Sequence, residues 1–123
     1  MKKKGLVILS GGQDSTTVAL FARSECKELH GITYDYGQKH KTEINSAKRI
    51  AKFLKFKTHV IIKIPNILKS TSPLINKKKK LEKYDSYNEI IKGIEPTFIP
   101  SRNILFLTIA SNQAVLIECK TIY

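Results

Sequence analysis

The sequence predicts an α/β fold: a parallel sheet of about four strands with helices on both faces. Short runs rich in β-branched residues alternate with segments of helical periodicity, in the order strand 5–9, helix 15–22, strand 29–34, helix 42–54, strand 58–64, helix 104–118 and strand 120–123. Strands and helices that alternate in this way build parallel sheets, because each crossover returns the chain to the same end of the sheet. Ligands of such sheets bind at the carboxyl ends of the strands.

The first predicted strand, residues 5–9, is an apolar run of the kind that is buried on both faces of a sheet. Gly11 and Gly12 follow at once, and they allow the backbone to turn sharply and to approach a ligand without a Cβ in the way. A helix begins at about residue 15. The unpaired N–H groups and the positive dipole at its start converge on one point, which favours an anion and above all phosphate.

The later elements are bounded by weaker turn and capping signals than the first strand and helix. Segment 42–54 predicts an amphipathic helix with lysines on its outer face, since apolar residues recur at helical spacing: Ile44, Ala47, Ile50, Ala51 and Leu54. The helix at 104–118 is apolar enough to be buried on most sides, and Asn103 is placed to cap it. Residues 66–95 lose all periodicity, so we expect an exposed or flexible insertion within a single domain.

Charge and cysteine content limit the classes of function. The 123 residues carry a net charge of +12, but the basic residues are almost all scattered lysines, which favours solvation over a nucleic-acid surface. Cys26 and Cys119 lie far apart and match no metal spacing, so they predict reduced thiols of a cytoplasmic protein. No segment reaches the roughly 18 apolar residues of a membrane span, and no membrane association is predicted.

The hexapeptide SGGQDS at residues 10–15 resembles the SGGxDS loop of the ATP pyrophosphatases, the PP-loop family. The Walker pattern GxxxxGK[ST] and the dinucleotide pattern GxGxxG are both absent. The resemblance implies a Rossmann-like adenine-nucleotide α-hydrolase fold and ATP binding by Leu9, Ser10, Gly11, Gly12, Gln13, Asp14, Ser15, Thr16, Thr17, Val18 and Ala19. The alternative is an ordinary tight turn in which Asp14 or Ser15 caps the helix.

Two further motifs narrow the resemblance. The sequence YGQKH at 36–40 and the sequence PTFIPSRN at 96–103 are similar to the YGQRH and PxTYVPARN motifs of the 7-cyano-7-deazaguanine synthase family. The similarity extends through residues 5–123. It implies ATP-dependent conversion of 7-carboxy-7-deazaguanine and ammonia to 7-cyano-7-deazaguanine, or preQ0, in queuosine biosynthesis, through an adenylated carboxylate.

The resemblance also implies roles for individual residues. Asp14 would anchor Mg²⁺ or its waters, with a helix-capping role alone as the alternative. Arg102 would bind a phosphate or the substrate carboxylate through its two-pronged guanidinium, unless it is an ordinary surface arginine. His40 and Glu43 would orient substrate or shuttle a proton, the alternative being a solvated helix start. These four are the predicted catalytic residues. The predicted substrate-binding residues are Tyr36, Gln38, Arg102 and Asn103.

The implied cofactors are ATP and Mg²⁺, and the implied partners are small-molecule substrates and a second copy in a homodimer. The family also carries Zn²⁺ on four cysteines, which this chain does not have, so no zinc site is predicted and residues 1–123 are expected to be an incomplete domain. Whether such a chain is active stays open. Two alternatives also stay open: another PP-loop enzyme that modifies tRNA, such as a lysidine or thiouridine synthase, and a non-catalytic remnant that binds nucleotide or nucleic acid.

Overall fold

The structure is a computed structural model that describes residues 3–37, 42–65 and 102–123. These residues form four strands and three helices: β1 (Lys4–Ile8), α1 (Gln13–Glu25), β2 (Glu28–Asp35), α2 (Thr42–Phe53), β3 (Thr58–Lys63), α3 (Arg102–Leu116) and β4 (Thr121–Ile122). The predicted alternation is confirmed. The insertion predicted at 66–95 lies outside the described residues.

The four strands are parallel and lie in the order β3-β2-β1-β4. β1 is therefore interior, and its Leu6 lies opposite both His30 of β2 and Ile122 of β4. The chain steps outward from β1 to β2 to β3, and then returns to the other side of β1 to form β4. The strand order reverses between β1 and β4, and ligands of open parallel sheets bind at such a reversal.

Helices cover both faces of the sheet, as predicted. On one face, α1 and α2 contribute small buried side chains to a core formed by Val7, Leu9, Ala19, Ala22, Cys26, Leu29, Ala47, Ala51 and Leu54. On the other face, α3 completes a second core formed by Leu6, Ile32, Tyr34, Ile64, Ala110, Ala114 and Cys119. Each helix meets the sheet mainly through alanines, which lets its backbone lie close to the strands.

The burial predicted for α3 is wrong. Only Ala110 and Ala114 are buried in this helix, while Ile104 is 70% and Val115 76% exposed. The reason is geometric, since a helix on one face of a sheet can bury only the stripe that contacts the strands. The predicted capping role of Asn103 is also wrong, because α3 begins at Arg102 and Asn103 lies within the first turn.

The two cysteines are buried as free thiols on opposite faces of the sheet. Burial raises the pKa of the Cys119 thiol above its ordinary value, which favours the unreactive neutral form. Among residues 3–37, 42–65 and 102–123, no helix is both long and apolar enough to cross a membrane.

Candidate active site

A cavity of about 650 Å³ lies at the carboxyl end of the sheet, where the sequence predicts a ligand site. It is bounded by the ends of β1 and β2 and by the starts of the three helices. The described residues that line it are Ile8, Leu9, Ser10, Asp14, Ser15, Tyr34, Tyr36, Glu43, Arg102, Asn103 and Phe106. Its size is in the usual range of small-molecule sites.

The loop between β1 and α1, residues 9–12, is anchored at its first residue. The N–H of Leu9 donates to the carbonyl of Ile32 at 2.9 Å, and the hydroxyl of Thr33 donates to the carbonyl of Leu9 at 2.5 Å. The side chain of Leu9 is fully buried. This loop, which we call the phosphate loop after the ligand that the sequence predicts, therefore starts from a fixed point in the core.

Hydroxyl groups hold the rest of the phosphate loop in shape. The N–H of Gly12 donates to Ser10 Oγ at 3.2 Å, and the N–H of Ser10 donates to Ser15 Oγ at 3.1 Å. The two serine hydroxyls lie 2.9 Å apart, and Thr16 Oγ1 donates to the carbonyl of Gly12 at 2.7 Å. The N–H groups of Ser10 and Gly12 are therefore used to hold the shape of the loop itself.

Gly12 is the N-cap of α1, and no side chain caps this helix. The alternative in which Asp14 or Ser15 is the cap is therefore wrong. The first intrahelical bond runs from the N–H of Thr16 to the carbonyl of Gly12. In the described part of the chain, no acceptor takes the N–H groups of residues 13–15. These groups and the positive end of the α1 dipole form an anion-binding arrangement.

The two glycines of the loop have different surroundings. Gly11 has φ +88°, and a Cβ built on it would lie 2.0 Å from the carbonyl oxygen of Glu43 in α2. Gly12 is extended, with φ −80° and ψ 174°, and a Cβ there would meet only Ser10 Oγ at 3.4 Å. Gly11 is thus needed for packing against α2, whereas Gly12 leaves open space beside the unpaired N–H groups.

Three charged side chains line the cavity: Arg102, Asp14 and Glu43. Arg102 is half-buried, and the two carboxylates are exposed. None of the three has an ion-pair partner among the described residues. A guanidinium with no carboxylate partner in the described part of the chain is a candidate donor to phosphate or carboxylate oxygens of a ligand.

An aromatic wall, formed by Tyr34, Tyr36 and Phe106, closes one side of the cavity. The rings of Tyr34 and Phe106 stack with centroids 4.1 Å apart at 11°, and Tyr36 lies 5.6 Å from Phe106 at 47°. The Tyr34 hydroxyl donates to the carbonyl of Phe106 at 2.6 Å. Burial raises the pKa of Tyr34 to about 12, so the group stays a neutral phenol. Such a wall suits a flat heteroaromatic ring.

The family model described as "Queuosine biosynthesis protein QueC" matches residues 4–123. The chain belongs to the QueC family. It is 47% identical over 112 residues to the 7-cyano-7-deazaguanine synthase of Gloeobacter violaceus, across 91% of this chain and 47% of that protein. It is 40% identical over 121 residues to the enzyme of that name from Staphylococcus epidermidis, across 98% of this chain and 52% of that protein.

The chain therefore spans about half the length of the curated relatives that it matches. Membership in the QueC family confirms the resemblance that the three motifs predict, together with the PP-loop fold. It removes the alternative that the chain is a lysidine or thiouridine synthase.

The fold brings together several residues that are distant in sequence. Of the predicted nucleotide-binding residues, Leu9, Ser10, Asp14 and Ser15 line the cavity. The lining does not include Gly11, Gly12, Gln13, Thr16, Thr17, Val18 or Ala19. Ala19 is fully buried in the core, so its side chain cannot reach a ligand.

Tyr36, Glu43, Arg102 and Asn103 do line the cavity, from α2, α3 and the segment after β2. His40 and Gln38 lie outside the described residues. Tyr34 and Phe106 were missed as site residues by sequence reasoning. The pair of tyrosines at the end of β2 is a signal that could have indicated Tyr34. The contact with Phe106 could not be predicted, because it joins two residues that are 72 positions apart.

Proposed function

We propose that this chain supplies the ATP-binding and carboxylate-activating part of a 7-cyano-7-deazaguanine synthase. One observation carries the proposal: the N–H groups of residues 13–15 and the guanidinium of Arg102, which have no partner among the described residues, adjoin one cavity with the aromatic wall. Such a reaction must hold together the phosphates of ATP, the carboxylate of the substrate and the flat deazapurine ring. The name that the two relatives carry supports the same activity.

Two observations support a fit between this region and the phosphates of ATP. The N–H groups of residues 13–15, at the start of α1, have no acceptor among the described residues, and the space beside Gly12 contains no atom nearer than Ser10 Oγ at 3.4 Å. Backbone donors at a helix start would hold the β- and γ-phosphates and stabilise the negative charge of departing pyrophosphate. They need no rearrangement to do so, because Ser10, Ser15 and Thr16 already hold the loop.

Asp14 is the carboxylate that would hold Mg²⁺ at the phosphates. Hard cations take oxygen ligands, and Mg²⁺ sites commonly combine one or two carboxylates with the phosphates of the substrate. Bound there, Mg²⁺ would neutralise phosphate charge. A structural zinc does not fit the described residues, since they contain no group of three or more His, Cys, Asp or Glu residues that could hold a metal ion.

The proposed chemistry begins when a carboxylate oxygen of 7-carboxy-7-deazaguanine attacks the α-phosphorus of ATP. The bond between the α-phosphorus and the bridging oxygen breaks, and pyrophosphate leaves. Ammonia then attacks the acyl carbon, AMP leaves, and an amide forms. The amide oxygen then attacks the α-phosphorus of a second ATP, and a second pyrophosphate leaves. Loss of AMP and of the two N–H protons gives the nitrile.

Two residues have distinct proposed tasks in these steps. Arg102 would hold the substrate carboxylate or the α-phosphate in a fixed plane through two parallel hydrogen bonds. Glu43 lines the same cavity and carries no described ion pair, so its carboxylate would accept the protons released from ammonia and the amide. The aromatic wall would bind the deazapurine ring face.

Exchange of labelled pyrophosphate into ATP tests this function on the full chain. We expect exchange that requires 7-carboxy-7-deazaguanine, because reversal of adenylation restores ATP. The control ligand is 7-deazaguanine, which has no carboxylate and should support no exchange. Exchange that is independent of the carboxylate would contradict the proposal. ATP binding without any exchange would also overturn it and would identify a non-catalytic nucleotide-binding chain.

A further inference from the structure

A buried chain of hydrogen bonds connects β3 to the first residue of the phosphate loop. Thr33 Oγ1 lies 2.5 Å from the carbonyl oxygen of Leu9 and 2.6 Å from His59 Nε2. A carbonyl can only accept, so the one hydroxyl hydrogen of Thr33 goes to Leu9, and His59 Nε2 must donate to Thr33. The direction of the chain is therefore fixed from His59 through Thr33 to Leu9.

The local sequence explains why these groups meet. His59 lies opposite Gly31 in the β2–β3 register, and a Cβ at Gly31 would lie 2.8 Å from Phe56 Cδ2 and 3.1 Å from His59 Cδ2. The glycine therefore makes room for both rings, and the imidazole reaches Thr33 two residues further along β2. Thr33 is 1% exposed, and a hydroxyl at such a position must have partners in the protein.

The hydrogen bond to Leu9 controls more than one atom. The carbonyl of Leu9 and the N–H of Ser10 belong to one planar peptide group, so fixing one fixes the direction of the other. Thr33 holds the carbonyl side of this group at 2.5 Å, and Ser15 Oγ accepts from the N–H side at 3.1 Å. The peptide plane at the entrance to the loop is thus clamped from both sides.

A second threonine and histidine pair joins the same two strands nearer the amino end of the sheet. His30 Nδ1 lies 2.7 Å from Thr58 Oγ1, and His30 Nε2 lies 2.9 Å from Glu28 Oε1. This second chain of hydrogen bonds ends at the Glu28 carboxylate and contacts no residue of the phosphate loop. It offers a matched control that has the same residue types in the same strands.

We propose that Thr33 and His59 are positioning residues for the phosphate loop: they set the Leu9–Ser10 peptide plane and hence the direction of the N–H groups that bind phosphate. This inference rests on the proposed nucleotide site. Burial and the charge of Lys48 lower the pKa of His59, which favours the neutral ring at pH 7. Its single hydrogen then resides on Nε2, where the geometry requires it.

Amide hydrogen exchange in the ligand-free chain tests the proposal without any nucleotide. Thr33→Val should raise the exchange rate of the Ser10 and Gly12 amides at least tenfold, because the peptide plane loses one clamp. Thr33→Ser retains the hydroxyl and should restore slow exchange. His59→Leu, which removes the donor from a residue less deeply buried than Thr33, should raise exchange three- to fivefold. Thr58→Val should leave these amides unchanged. Unaltered exchange in both Thr33→Val and His59→Leu would overturn the proposal.

ATP titration of the same variants connects loop geometry to binding. Thr33→Val should weaken ATP at least tenfold, about 1.4 kcal/mol, while Thr58→Val should lower the melting temperature without changing affinity. Equal weakening by Thr58→Val would show a general effect of the sheet and contradict the proposal. If the parent chain binds no ATP, the proposed function fails, and the exchange data still decide whether Thr33 and His59 position the loop.

Discussion

The two ends of the parallel sheet treat their charged side chains differently. At the amino end, the Glu28 carboxylate accepts hydrogen bonds from His30 at 2.9 Å and Lys57 at 3.1 Å. These bonds lower the pKa of Glu28 to about 2. Nearby, Lys3 and Glu25 form a further pair at 2.7 Å. These charges at the amino end are therefore paired within the protein itself.

At the carboxyl end, by contrast, the charges face a cavity. Arg102, Asp14 and Glu43 all line it, and the described residues provide none of them with an ion-pair partner. Charged side chains in a cleft without a described partner are candidates for ligand contacts, which is the role that the proposed function gives them. The difference separates residues that hold the sheet together from residues that the proposal assigns to the ligand.

The largest expected effect comes from Gly11, the residue at the carboxyl end that the fold cannot replace. Gly11→Ala should destabilise the chain by about 3 kcal/mol, because it combines a left-handed φ with a clash against the Glu43 carbonyl. Urea denaturation measures the loss. The matched variant Gly12→Ala lacks both problems and should cost less than about 1 kcal/mol. Similar losses in the two variants would contradict the distinction between the glycines.

Arg102 should affect chemistry and not stability. Arg102→Lys keeps the charge but loses the planar fork, so pyrophosphate exchange should fall at least tenfold, about 1.4 kcal/mol, with an unchanged melting temperature. Arg49→Lys is the control, since Arg49 is exposed on α2 and away from the cavity lining. Near-parental exchange by Arg102→Lys would show that Arg102 is an ordinary surface residue.

The smallest effect concerns the amino end and its pH dependence. Glu28 titrates at about 2 in the folded chain against an ordinary value of 4.5, so its stabilising contribution is complete above pH 4.5 and disappears as the pH falls toward 2. Glu28→Gln should therefore melt lower than the parent at pH 6 and equally at pH 2.

Glu118→Gln is the control for this measurement. The Glu118 side chain is 87% exposed and meets Lys4 only at 4.0 Å, so the melting temperature should not change at either pH. A deficit in Glu28→Gln that persists at pH 2 would refute the assignment of the low pKa to Glu28.

Sequence reasoning identified the elements and the loop because their signals are local. The strand, the glycine pair and the helix start occupy consecutive positions, and the carboxyl edge follows from parallel topology. The aromatic wall of the cavity was harder to predict from the sequence. The Tyr34–Phe106 stack depends on how α3 packs against the second strand, and no local pattern encodes that contact.

The helix ends show a second limit of local signals. α2 and α3 are followed by Lys55 and Glu118 in the left-handed conformation, where glycine is the usual residue. Hydrogen bonds from Phe56 to Ala51 and from Cys119 to Ala114 close these helix ends. Because lysine and glutamate stand where glycine is usual, a search for glycine could not predict either end.

Calorimetric titration of the full chain with ATP and Mg²⁺ tests the central claim most directly, when the parent is compared with Gly12→Val. The claim is that the carboxyl end of the sheet is a phosphate site whose open space lies beside Gly12. The parent should bind ATP saturably, and Gly12→Val should bind at least a hundredfold more weakly, about 2.7 kcal/mol, because its side chain would occupy the space of the phosphates. The melting temperature of the variant should stay within a few degrees of the parent, since valine at this helix cap costs only about 1 kcal/mol. Equal ATP affinity of the two proteins would contradict the claim.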